Sequence, residues 1–197
     1  MDRNGESAVR RTAFQLLFAC ERPVPVAALA SALGCDEGAV RAEIEALEER
    51  GALRRAGGSV VATAGLSVVP TRHEIRVDGK RLWTWCAYDM FGILGALGHG
   101  GVAISASPVS GRVLEVPFEG AVPADTGMAV FIAESAGCKS IVDDWCPLNN
   151  LFEDAATARR WAAERGVEGT AFGVVETAKL GGERWRQMFA GVGARSG

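Results

Sequence analysis

The chain has 197 residues, 48% of them apolar, and 21 Lys and Arg against 24 Asp and Glu, for a formal net charge of -3. That is material for one core, or for a small domain docked on a larger one, and the near balance of charge excludes a whole-protein field that gathers nucleic acid or anionic lipid. No run approaches the roughly 20 apolar residues of a membrane span. AFQLLFA follows Arg10 and Arg11, has Asp2 and Glu6 upstream and lacks a signal-peptide cleavage pattern, so a soluble cytoplasmic protein is expected.

In chain order, AVRRTAFQLLFAC spaces its apolar residues for one buried helix face, and PVAALASALG reads as a second helix with a proline start and a glycine stop. DEGAVRAEIEALEERGAL reads as a third, with Asp36 as N-cap, Val40, Ile44 and Leu47 on one stripe, and Gly51 as its end. LRRAGGSVVATAG then reads as a two-stranded wing turning at Gly57-Gly58. Three helices and a wing resemble a winged helix-turn-helix. The would-be recognition helix, however, carries Asp36, Glu37, Glu43, Glu45, Glu48 and Glu49 against Arg41 and Arg50, and such a face repels phosphate. The module is therefore expected to pack on its neighbour and to bind no nucleic acid.

Residues 66–72 (LSVVPTR) read as a proline-bearing connection, and HEIRV and KRLW as a hairpin around Asp78-Gly79. WTWCAYDMFGILGALG, Trp83 to Gly98, reads as an interior helix. GVAISAS, RVLEV and MAVFIAES read as antiparallel strands, and EDAATARRWAAERG as an amphipathic helix ending at Gly166. A strand near AFGVV and a helix through ERWRQMF end the chain. The fold class expected is α+β: a winged-helix-like module over residues 1–65 packed on a mixed domain of antiparallel strands and helices over 73–197.

The five cysteines, Cys20, Cys35, Cys86, Cys138 and Cys146, are odd in number and lack CxxC spacing, which fits neither a disulfide framework nor a zinc knuckle. Reduced thiols are expected. Cys86 and Asp89 stand three apart in an apolar run, so on a helix they project from one face and can share a proton. Burial raises the pKa of both groups, which keeps an acid protonated and ready to donate. A buried cysteine alone is more often core filler, but an unpartnered aspartate in an apolar helix costs several kcal/mol and calls for a partner or a task. Cys146, in SIVDDWCPLNNLFED, precedes Pro147 on an irregular segment that suggests local accessibility, although taken alone it reads as a buried structural cysteine. Cys20 and Cys35 read as structural, and His73 and His99 as surface or packing residues.

RLWTWCAYD, ISASPVSGRVLEV, PADTGMAVFIA and WCPLNNLFEDAATARRWA together resemble the organomercurial (alkylmercury) lyases, over about residues 8 to 190. The resemblance implies protonolysis of a carbon-mercury bond by Cys86, Asp89 and Cys146, giving a hydrocarbon and leaving Hg(II) on the two cysteine thiolates, with all three residues as metal contacts and no cofactor. Soft mercury favours thiolate ligands, and a carboxylic acid at Asp89 suits proton delivery to carbon. It also implies an organomercurial substrate, low-molecular-weight thiols, and a mercuric reductase as a further Hg(II) acceptor. Trp83, Trp85, Phe91 and Leu94 would suit organic groups of varied size as an apolar wall, although each reads first as plain core. The chain departs from some relatives, which have cysteines where Ser107 and Pro147 stand. Cys138, beside Lys139, reads as a bystander thiol or as a relay for mercury. The competing functional readings are a thiol-based soft-metal carrier and a winged-helix metal sensor, neither with lyase activity.

Overall fold

The computed structural model describes residues 7–190; Asp2, Glu6 and the outer ends of both expected units lie outside the described residues. Helix α1, Ala8–Cys20, starts where the Ser7 side chain accepts from the Arg10 N–H, and it buries Val9, Ala13, Phe14, Leu17 and Phe18. Strand β1, Val24–Pro25, leads into α2, Val26–Leu33, which stops at Gly34. Helix α3, Glu37–Glu49, is capped by Asp36 and buries Val40, Ile44 and Leu47, as their spacing requires. Strands β2, Leu53–Ala56, and β3, Ser59–Thr63, form the hairpin around Gly57-Gly58.

The expected connection at 66–72 begins instead with a strand, β4, Leu66–Ser67, because its backbone pairs on both edges: with β3 on one side and with Trp83 and Thr84 on the other. Strands β5, His73–Val77, and β6, Lys80–Thr84, form the hairpin at Asp78-Gly79. After helix α4, Ala87–Leu97, come β7, Gly101–Ala106, β8, Val113–Glu119, and β9, Val122–Pro123. These strands make one sheet in the order β1-β3-β4-β6-β5-β7-β8-β9, with β2 also on β3. A second sheet sets β10, Ala129–Ala133, between β11, Asn150–Phe152, and β12, Gly169–Gly173. Every strand pair among the described residues is antiparallel, so the molecule is a mixed α and β protein built on antiparallel sheets.

Two helix boundaries differ from expectation. The run from Trp83 is strand first and helix second: Trp83 and Thr84 pair with Glu74 and His73, and the helix begins only at Ala87. The last helix, α6, Val174–Trp185, starts nine residues before ERWRQMF and passes into a 3-10 turn, Arg186–Phe189. Its Gly181 and Gly182 weaken the helical signal in the sequence, yet a Cβ at Gly181 would lie 2.6 Å from the Gly92 Cα, and one at Gly95 would lie 2.7 Å from the Ala178 carbonyl oxygen. Glycines on both helices thus let α4 and α6 touch backbone to backbone. Helix α5, Ala155–Arg165, is capped by Asp154 and packs Ala158, Trp161 and Ala162 into a core cluster with Phe131 and Phe152.

Candidate active site

Cys86 is the N-cap of α4 and Asp89 its third residue. Their relation is therefore a capping one rather than two points on a helix face: an Asp89 Oδ accepts from the Cys86 N–H at 3.0 Å. Thr84 fixes the approach, its hydroxyl donating to the Cys86 carbonyl at 2.9 Å. Cys146 arrives from the far side of the chain on a π-helical turn, Ile141–Trp145, followed by a 3-10 turn, Cys146–Leu148. The segment is irregular, as expected, and Cys146 is 1% exposed: of the two readings the buried one holds and local accessibility does not, because the apolar cluster around Trp145, Phe131 and Phe152 closes over it.

The two sulfurs and an Asp89 carboxylate oxygen lie within 4.8 Å of one another, and all three residues are buried. Burial raises the Cys86 thiol well above its usual range, helped by its hydrogen bond to Cys146 and by the negative field of Asp89. Burial also lifts Asp89 to about 6, against the opposing hydrogen bonds from Cys86 and the attraction of Arg184 and Arg10. The site therefore keeps a proton on the Cys86 sulfur, with a carboxyl group poised to receive or give one. Two soft donors and one hard acid suit a soft thiophilic ion beside a proton donor.

Two residues that position this trio escaped the sequence reading. Asn149 is fully buried. Its side-chain amide donates to the Trp145 carbonyl at 2.7 Å and its side-chain oxygen accepts from the Ala133 N–H at 2.8 Å. Its own carbonyl accepts from the Ala87 N–H at 3.1 Å, so one residue ties the Cys146 turn, β10 and the start of α4 together. The signal for it was a pair of amides, Asn149-Asn150, followed at once by apolar Leu151-Phe152. Gly65 has φ +82°, and a Cβ there would lie 2.5 Å from the Asp89 carboxyl carbon. No sequence signal separates Gly65 from an ordinary hairpin-end glycine.

A cavity of about 160 Å³ opens on Asp89 and is lined by Trp85, Trp145, Trp185 and Met188, with Arg10 and Arg184 among its walls. Of the four residues expected to form an apolar wall, only Trp85 does so. Phe91, tilted against Phe118, and Leu94 are plain core, while the Trp83 ring sits under Arg81. Cys138 is half-buried against the Trp145 cluster. Cys20 and Cys35 are exposed, which corrects their reading as structural. His73 is buried against Ser105, 2.9 Å from its Nδ1, and burial and then Arg72 lower its pKa to about 3. His99 pairs with Asp78 at the surface. Ser107 is buried and bonds Glu153, fastening the turn after β7.

Comparison with known proteins bears on this geometry. The alkylmercury lyase family model matches residues 66–186. The chain is 29% identical over 153 residues to an alkylmercury lyase of Pseudomonas putida, covering 75% of this chain and 70% of that one. Its fold is similar to the crystal structure of the mercury-bound form of MerB2, with a TM-score of 0.77 at 18% identity, over 92% of this chain and 99% of the other. Since the family model spans well over half of its 197 residues, the chain belongs to the alkylmercury lyase family, enzymes that cleave carbon-mercury bonds.

Proposed function

We propose that Cys86, Asp89 and Cys146 perform the protonolysis, and that Hg(II) ends on the two sulfurs with the Asp89 carboxylate beside it. The observation that carries the reading is the meeting of the three groups within 4.8 Å, inside a buried site. An alkylmercury cation arriving on a small thiol exchanges onto one cysteine, whose proton leaves with the displaced thiol. The second cysteine then forms its sulfur-mercury bond while its proton passes to the Asp89 carboxylate. Asp89 gives that proton to carbon as the carbon-mercury bond breaks, and the bonding pair becomes the new carbon-hydrogen bond. A hydrocarbon leaves and Asp89 returns to its ionised form. No electron changes hands, so the scheme uses no redox cofactor. Two thiolates hold Hg(II) tightly, and its removal falls to low-molecular-weight thiols or to a mercuric reductase.

Residues 1–65 belong to the same reading as a winged-helix-like module, and 73–197 as the catalytic unit; the start of the family match at residue 66 supports the division. The exposed acids of α3, with Glu37 paired to Arg41, support a module that binds no nucleic acid. Among the described residues no helix is long and apolar enough to cross a membrane.

The test is to incubate the reduced protein with phenylmercury and excess small thiol and to measure benzene. Turnover should vanish in Cys86→Ser and Cys146→Ser and fall by about 100-fold or more in Asp89→Ala. Stoichiometric mercury uptake without benzene from the wild-type protein would establish a carrier instead, and mercury-dependent binding to a promoter a sensor.

A further inference from the structure

The cavity that opens on Asp89 is lined by neither sulfur. If Asp89 protonates the carbon, that carbon stands on the cavity side of the carboxyl group, and the organic group fills the space beyond it. The space is large enough for one aromatic ring: benzene is held in about 150 Å³, and this cavity, partly open to solvent, measures about 160 Å³. Its walls include three indole rings, Met188 and Ile141, on which an aryl or short alkyl group packs, beside the polar Gln187. Its charged members other than Asp89 are two cations far apart in the sequence, Arg10 on α1 and Arg184 on α6. Arg184 is exposed, with its guanidinium carbon 5.6 Å from the Trp185 ring centre. Both arginines act on Asp89 through space, which places their fields inside the cavity.

We infer that this cavity receives the organic group of the substrate, and that Arg10 and Arg184 at its walls favour organomercurials whose organic group carries an anionic substituent, such as an aryl carboxylate. The inference rests on the lyase reading above. It differs from a general electrostatic attraction, because the chain is net negative. The same carboxylate chemistry can arrive on the small thiol that delivers the mercury, and the two sources are separable.

The experiment measures kcat/KM for 4-carboxyphenylmercury and phenylmercury, each delivered on 2-mercaptoethanol, by release of benzoate and of benzene. A carboxyl substituent alters the ring's own reactivity, so the readout is the ratio of the two and its change among variants. The ratio should fall about fivefold in Arg184→Glu and less in Arg184→Gln, the size expected of one partly exposed charge contact. It should fall again when Arg10→Gln is added, and it should shrink in the wild-type protein at high salt. Arg184 lies at the surface, so its variants keep the fold, and a thermal melt checks this. A ratio indifferent to both arginines overturns the inference and leaves the lyase intact. So does a preference that follows the charge of the thiol, seen with phenylmercury on mercaptoacetate against 2-mercaptoethanol. Absence of both benzene and benzoate from the wild-type protein overturns the lyase reading itself.

Discussion

Asp89 holds its proton more tightly in the folded chain than in the unfolded one, and this fixes the sign of two pH dependences. In the proposed reaction the carboxylate must be ionised to take the thiol proton, so kcat/KM for phenylmercury should rise with pH through about 6 and stay level toward the raised range of the Cys86 thiol. A profile that falls through the same region would mean that Asp89 enters the cycle already protonated. Stability runs the other way. A carboxyl group raised to about 6 from an unfolded value of about 4 stabilises the fold most at low pH, and that contribution is lost as pH rises through the window between them. His73, lowered to about 3, opposes it over an overlapping range, because its unfolded imidazole takes up protons that the folded one refuses. The clean measurement is therefore the difference in urea midpoint between Asp89→Asn and wild type, which should favour the variant increasingly from pH 4 to pH 7. Cys86 and Asp89 were legible because an ionisable pair in an apolar run requires a reason. The catalytic role of Cys146 came only from family resemblance, and Gly65 and Asn149 were silent because their task is defined by atoms far along the chain.

At the scale of elements, the sequence period found most helices but misplaced two ends for identifiable reasons. WTWC is apolar except for Thr84 and runs straight into the apolar helix, and periodicity alone does not separate a buried strand from a buried helix; the break at Cys86 is a cap made by a carboxylate three residues on. The two glycines of α6 weaken its helical signal, and only contact with α4 explains them. That seam also sets the site, because a Cβ on Gly92 would lie 2.4 Å from Cε3 of Trp185, a wall of the cavity. The Trp185 indole is further held by its N–H donating to the Ala64 carbonyl at 2.7 Å. Gly92→Ala should therefore cost about 1–3 kcal/mol by overpacking. It should also lower kcat/KM for aryl substrates more than for methylmercury, since a displaced Trp185 narrows the cavity. Urea unfolding and paired hydrocarbon assays check both; equal losses for the two substrates would detach Trp185 from the organic group.

For the whole molecule, the N-terminal helices are structural partners of the site although the family match begins after them. Gln15 on α1 donates to the carbonyls of Met188 and Ala190, and Arg10 and Ala64 line the cavity. The segment that carries Ile141 and Trp145 into that cavity rests on the same unit: Arg54 pairs with Asp143, and Gly51 lies under Ser140. The ion pair is partly exposed and is worth at most about 1 kcal/mol, so the close packing at Gly51 decides the position of the segment. Gly51 has φ +62°, and a Cβ there would come 2.2 Å from the Ser140 Oγ and 3.2 Å from its Cα. Side-chain rotation relieves the first clash but not the second. Gly51→Ala should consequently lift residues 138–145, moving Trp145 and with it the turn that presents Cys146. The expected result is a loss of benzene release of about tenfold or more, with faster amide exchange over 139–145 and little change elsewhere. Wild-type turnover in Gly51→Ala would show that the N-terminal unit does not brace the segment carrying the second thiol.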